Sequence, residues 1–284
     1  MLAAIDGSFP TGPVFKFLSL ADGQDPPWRN RVANLLDGKA YLPSPSQFND
    51  PFDCLPPVDL PQTIEDFEAR KPAFLERLQA SMPDIAADVI ADAIDKSIQD
   101  SGLEALAEVT RQSFITGGER MGVFCLAECI QSVLMWSHYA DNHRGIALRF
   151  NFQHDLDGGL MPLFKVRYSG ERAVLRAFFG GEEQSEAIVD ALCTKADFWQ
   201  YEQEWRFIEP DGAGNTIQFN PRVITGVILG AKTCDEHAFW LIDLCIKRGI
   251  PVMRVVPHTK TFELSFVGVH DPTLGTGVPQ PQEV

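Results

Sequence analysis

Two glutamates stand two residues apart, Glu202 and Glu204, in the segment FWQYEQEWRFIE (198–209), hemmed in by Phe198, Trp199, Tyr201, Trp205 and Phe207. Solvated charge seldom keeps such neighbours. On a strand, side chains alternate between faces, so Glu202, Glu204 and Arg206 share one face and Gln203, Trp205 and Phe207 the other. A carboxylate pair placed this way can orient a sugar hydroxyl and stabilise a cationic transition state, and partial desolvation by the rings strengthens that field. Arg206 on the same face can hold either glutamate ionised. A solvated strand with a Glu/Glu/Arg ladder is the competing explanation, and spacing alone favours it.

Two other stretches offer polar groups. In SPSQFNDPFD (44–53), Asn49 and Asp50 precede Pro51 as turn formers, and Asp53 suits a helix cap or an Asx-turn. A turn explains them without a ligand, yet Phe48 and Phe52 flank it, and a packed polar loop of this kind often lines a site. In LMWSHYADNHRG (134–145), Trp136, His138, Tyr139 and His143 can stack on a base or bind polar groups, although core or rim packing is the plainer role. His138 and His143 are five apart, a poor match for two metal ligands on one helix face, and no metal is expected there. The chain lacks a P-loop, a dinucleotide-fold glycine loop, a nucleophile elbow and an HExxH motif.

The elements that must position these residues read as strands around a helical insertion. VFKFLSL (14–20), MGVFCLAE (121–128), RGIALRFNF (144–152), LFKVRYS (163–169), NTIQFN (215–220) and VITGVILG (223–230) are strand-like. PVMRVVP and TFELSFVGV form an expected closing pair. Residues 26–40 predict a short helix ending at Gly38, residues 182–198 another, and CDEHAFWLIDLCIKRGI a third with Gly249 near its end. Helical periodicity fills residues 62–118, with cuts expected at Pro72, Pro83 and near Gly102. SVLMWSHYADNH is a helix or a tight turn. The Gly- and Pro-rich tail, residues 271–284, is expected to be loose. With no repeat and no long linker, the 284 residues read as a single α+β domain with a mixed or antiparallel sheet core.

Composition narrows the function classes. Lys and Arg total 24 against 39 Asp and Glu, a formal charge of −15, which disfavours extended binding to nucleic acid or an anionic membrane. No apolar run is long enough for a membrane helix, and the N-terminal MLAAIDGSFPTGP carries no secretion signal. Cys54, Cys125, Cys129, Cys193, Cys234 and Cys245 lack framework or zinc spacing and suggest reduced thiols in a cytoplasmic protein.

Taken in order, FNDPFD, LMWSHYADNHRGIALRF, YEQEWRF and ITGVILG resemble a bacterial family known only as domain of unknown function 2971, over a span from about Phe15 to Val267. The family label implies no activity. The order of elements is also similar to that of ADP-ribosyltransferases, in which a basic residue on an early strand binds NAD and the last Glu of a Glu-x-Glu strand is catalytic. That resemblance implies a split sheet, Glu204 as catalytic carboxylate and Glu202 as its accessory. It implies Lys16, Ser44, Asn49, Asp50, Asp53, Trp136, His138, Tyr139 and Arg206 around NAD as substrate, with the acceptor open. Lys16 replaces the family's usual Arg or His, and Leu126-Ala127 stand where hydroxyl residues are expected. Two further readings remain: a metal-dependent hydrolase of nucleotides or nucleic acid, with Asp50, Asp53, Glu202 and Glu204 as oxygen ligands for Mg²⁺ or Mn²⁺, and a non-enzymatic interaction module in which the same residues hold the fold together.

Overall fold

The computed structural model describes residues 10–21, 27–152, 162–176 and 182–273. The chain runs β1 (Val14–Leu18), α1 (Trp28–Leu36) and β2 (Lys39–Tyr41), crosses a turn-rich loop to β3 (Val58–Asp59), and enters α2 (Ile64–Ser81) and α3 (Ala87–Glu119). There follow β4 (Gly122–Ala127), α4 (Val133–Tyr139), β5 (Ile146–Phe150), β6 (Leu163–Lys165), β7 (Arg167–Ser169), β8 (Leu175–Arg176) and α5 (Glu182–Leu192). The last part holds β9 (Thr194–Ala196), β10 (Glu204–Glu209), β11 (Thr216–Gln218), β12 (Ile224–Leu229), α6 (Asp235–Arg248), β13 (Val252–Pro257) and β14 (Leu264–His270).

Eight strands make one mixed sheet in the order β14-β13-β12-β5-β1-β4-β10-β6, with three two-stranded sheets beside it. Its pairs are antiparallel except β12 with β13, which α6 connects as a crossover. The fold is α+β, as the sequence pattern leads one to expect. Alternation along the strands sorts side chains onto two buried faces. One carries Phe124, Leu148, Phe150, Trp205 and Phe207 with Trp28 and Leu241 from α1 and α6. The other carries Phe15, Phe17 and Ala147 under Met135 and Trp136 of α4, then Val123, Phe164 and Ile208 beside Leu192 of α5.

The sheet is continuous, yet it nearly parts in the middle. β1 is registered against β5 along its whole length, from Val14↔Phe150 to Leu18↔Ile146, but against β4 at the single pair Phe15↔Ala127. Buried backbone groups freed by such a parting need other partners. One of them, the carbonyl of Cys125, accepts a hydrogen bond from Lys16 Nζ at 3.0 Å. The main sheet is therefore one ladder opened locally between β1 and β4, and not the split sheet that the ADP-ribosyltransferase resemblance implies.

Several boundaries differ from the sequence reading. Residues 198–209 are not one strand: 197–202 form a 3-10 turn, Gln203 is left-handed (φ 44, ψ 55), and β10 starts at Glu204. Rings in FWQYE compete with strand alternation by packing against one another, as Trp199 does with Phe198 and Tyr201. The helix expected over 182–198 ends at Leu192, because Thr194–Ala196 pair with β7 as a parallel ladder. LFKVRYS breaks into β6 and β7, which serve different sheets. Pro72 does not cut its helix; Glu68 and Pro72 are both exposed, so water can take the carbonyl left without a donor. Gly102 does break the helical path, at φ 82 and ψ 163. The tail lies outside the described residues from position 274 onward.

Candidate functional site

The parting between β1 and β4 opens into a cavity of about 380 Å³. Phe15, Phe17, Phe48, Leu126 and Met135 give it apolar walls, and Lys16, Asn49, Asp53, His138, Tyr139, Lys195, Glu202 and Glu204 supply the polar groups. The three segments singled out in the sequence thus meet, at a place where β1, β4 and β10 are neighbours in the sheet.

At its base lies a buried ion cluster. The fork of Arg206, with no exposed surface, grips Glu204 through Nε–Oε1 at 2.8 Å and Nη2–Oε2 at 3.0 Å, and Asp53 through Nη1–Oδ1 at 2.8 Å and Nη2–Oδ2 at 2.8 Å. Lys195 Nζ lies 2.6 Å from Glu202 Oε2, 3.3 Å from Glu204 Oε2 and 3.2 Å from Asp53 Oδ2. Three carboxylates therefore face two cations, and the cluster keeps one negative charge in excess. Tyr139 donates its hydroxyl to Glu202 Oε1 at 2.5 Å and accepts from Asn49 Nδ2 at 3.4 Å. The backbone N–H of Glu204 donates to the Tyr168 hydroxyl at 2.9 Å.

The two glutamates titrate in opposite senses. Burial pushes Glu204 up, but Arg206 and then Lys195 outweigh it and hold the carboxyl well below the usual carboxylate range. Burial raises Glu202; Lys195 opposes the rise and the charge of Glu204 adds to it, so Glu202 binds a proton more readily than an ordinary glutamate. Burial disfavours the charge on Lys195, yet Glu204, Asp53 and Glu202 together keep its pKa above that of a free lysine. The Cys125 thiol, pushed up by burial and by Glu204, is no ready nucleophile.

Local folding explains how α4 presents Tyr139 and His138. Ser132 caps its start by accepting from Met135 N at 3.3 Å. Its end is wound by three successive residues with positive φ, Asp141 (48°), Asn142 (52°) and His143 (70°). Such a run is costly for side chains with a Cβ. Bonds from Asn142 N to Ser137 O (3.1 Å), His143 N to Trp136 O (3.0 Å) and Gly145 N to Ala140 O (2.7 Å) hold it in place. Gly145 is required there, since a Cβ would lie 2.1 Å from Leu18 O. Burial, with a smaller effect of Lys232, lowers the pKa of His143, which faces Ser137 Oγ at 3.3 Å, away from the cluster.

Other residues read from the sequence fall elsewhere. Trp136 is wholly buried beneath the cavity, donating Nε1–H to Ile130 O at 2.8 Å, so it offers no face to a base. Ser44 caps a 3-10 turn and donates to Glu119 O at 2.7 Å, outside the cavity. Arg206 acts from beneath the cavity, through Glu204 and Asp53. Asp50 faces a second, smaller cavity. Asp53 lines both cavities, but Glu202 and Glu204 line only the larger one, so Asp50 does not share a cavity with the two glutamates. Lys195 places its ammonium among Asp53, Glu202 and Glu204, where the hydrolase reading would put a metal.

Lys195 and Tyr168 are the members that sequence reasoning missed. The hydrophobic run of IVDALCTKADFW makes Lys195 look like one turn of a longer helix. A lysine seven residues before a glutamate amid aromatics is the only signal available, and it is weak.

Residues 135–207 match the model of a family described as a protein of unknown function (DUF2971), a narrower span than the motifs suggest. The matched stretch holds Tyr139, Lys195, Glu202, Glu204 and Arg206, while Lys16 and Asp53 reach the site from outside it. Among curated proteins and solved structures, nothing matches the chain.

Proposed function

We propose that this chain, a DUF2971 protein by its match over residues 135–207, is an enzyme that takes NAD as substrate and breaks the bond between nicotinamide and ribose. The observation carrying the reading is the parting of the sheet, with Lys16, Glu202 and Glu204 all lining the cavity that opens there. Three of the four strands on which the ADP-ribosyltransferase resemblance rests, β1, β4 and β10, are neighbours in the sheet, while the fourth, β5, lies on the other side of β1. A volume of about 380 Å³ suits nicotinamide with its ribose, within the usual range for small-molecule sites.

In this reading the C1′–N bond breaks with its electron pair passing to the ring nitrogen, which leaves as neutral nicotinamide. Positive charge then develops on the ribosyl carbon beside a cluster of three carboxylates and two cations, in a site screened by Phe15, Phe17 and Phe48. An acceptor hydroxyl, amine or water attacks C1′ and gives up its proton to Glu202, whose raised pKa suits that task. Glu204, with both oxygens held by Arg206, positions Lys195 and through it Glu202. The resemblance gives the leading role to Glu204; the hydrogen bonding favours Glu202. Lys16 spends one of its three donors on Cys125 O and has others for a phosphate.

The test is nicotinamide release from NAD, with calorimetric binding in parallel and with EDTA present, for wild type, Glu202→Gln and Glu204→Gln. Release by wild type and its loss in Glu202→Gln with binding retained support the assignment. A folded wild type that neither binds NAD nor releases nicotinamide sinks it. The weight then moves to the interaction module, which the saturation of Asp53 and Glu204 by Arg206 favours.

A further inference from the structure

Asp53 and Lys195 form a partition: they line the larger cavity on one side and a second cavity of about 180 Å³ on the other. The second cavity is walled by Asp50 and rimmed by Phe52 and Phe198, which are 59% and 68% exposed. Asp50 is only 6% exposed. One of its oxygens accepts from Phe52 N at 2.9 Å, and among the described residues no cation lies within ion-pair distance of it. A buried carboxylate is costly unless paired with a cation or supplied with several hydrogen bonds. The contrast with its neighbour Asp53, met by both Arg206 and Lys195, is sharp.

We infer that the second cavity is a binding site for a small organic cation, an ammonium or guanidinium group, with Asp50 as counter-ion and Phe52 and Phe198 as its aromatic flanks. Aromatic faces attract such cations, and partial burial strengthens the attraction. The protein already uses the chemistry at the rim, where the guanidinium of Arg172 lies 5.2 Å from the ring centroid of Phe52. Glu171, also on the wall, forms no ion pair among the described residues, and with Asp50 and Asp53 it sets three carboxylates against Arg172 and Lys195, so the local balance stays negative. The volume is below the range of about 300–1,000 Å³ usual for whole small-molecule ligands, which points to one side-chain-sized group. The inference stands apart from the NAD reading, because it uses the opposite side of the partition.

The experiment is calorimetric titration of the full chain with n-butylammonium and with methylguanidinium, using methylurea as the uncharged control. Asp50→Asn keeps an oxygen for the Phe52 N–H and removes only the charge. Phe198→Ala, at an exposed position, serves as a second variant that leaves the core untouched. Saturable binding of at least one cation is expected, with none of methylurea. Losing one charge-assisted contact should weaken it about ten-fold or more in Asp50→Asn, and Phe198→Ala should weaken it to a smaller extent. No saturable binding to folded wild type, or equal binding by Asp50→Asn, overturns the inference. So does cation binding that is lost in Glu202→Gln but kept in Asp50→Asn, because that places the cation in the larger cavity.

Discussion

Every nitrogen of Arg206 is engaged: Nε by Glu204, Nη1 by Asp53, Leu192 O and Cys54 Sγ, and Nη2 by Asp53 and Glu204. Removing one partner from a buried pair strands the others, at a cost of about 3–5 kcal/mol. Arg206→Met is therefore expected to lower unfolding free energy by that order in denaturant titration, and Arg206→Lys to recover little, since an ammonium cannot reproduce the fork. A loss under about 1 kcal/mol would mean that water solvates the cluster freely. Glu202 and Glu204 should separate in the same assay. Glu204 has a depressed folded pKa, so its stabilisation is full above the unfolded value and is lost as pH falls through the folded one. Glu202 has a raised folded pKa, so the cost of ionising it is absent below the unfolded value and complete once pH has risen past the folded one. At neutral pH, Glu204→Gln should destabilise while Glu202→Gln is neutral or stabilising; the opposite ranking would reverse the charge balance assigned to the cluster. Part of this was legible in YEQEWRF, because charges amid rings mark burial, although spacing alone favoured a solvated ladder that the burial of Glu202, Glu204 and Arg206 overturns. Lys195 was not, since its meaning comes from contacts with Asp53 far away in the chain.

Between these residues and the sheet stand two short irregular elements. The 3-10 turn ending in left-handed Gln203 lets Glu202 reach Lys195 from outside the strand while Glu204 and Arg206 share a strand face. Period-2 alternation thus gave the right face for Glu204 and Arg206 and the wrong element for Glu202; a left-handed non-glycine residue leaves no sequence signal of its own. The second element is the turn at 141–143, clamped by Gly145 and by Gly230, where a Cβ would lie 2.2 Å from His143 O. Gly145→Ala meets backbone atoms that cannot rotate away. We expect it to destabilise the chain and to move Tyr139 off Glu202, read as loss of thermal stability together with a changed tyrosine absorbance on alkaline titration. An unaltered melting curve for Gly145→Ala would show that the loop relaxes cheaply. Sequence reading allowed a helix or a tight turn here; both occur, one after the other.

On the scale of the molecule, the helical pair α2 and α3 has its own apolar cluster, built on Leu60, Phe67, Ile90 and Ile94, separate from the clusters of the sheet. The periodicity of 62–118 marked the two helices; their packing partner could not be read, because amphipathic helices show that a face is buried and not against what. A cluster so set apart should open as its own unit. Native-state hydrogen exchange is expected to show amides of residues 64–119 exchanging through openings of lower free energy than those of β1, β4 and β5. A single common opening energy across both regions would contradict that. Among the described residues, no helix is long and apolar enough to cross a membrane.

The position of β1 in the middle of the sheet sets a timetable for synthesis. Its partners, β4 and β5, begin more than a hundred residues downstream, at Gly122 and Ile146. At roughly 5–20 residues per second, the emerging strand waits on the order of ten seconds with Phe15 and Phe17 unshielded. Arg206 comes later still, so Asp53 spends the interval without either of its cations. The chain is most vulnerable to misassembly before its two-hundredth residue is made, and stalled nascent chains ending ahead of β10 should be far more sensitive to protease than those that include it.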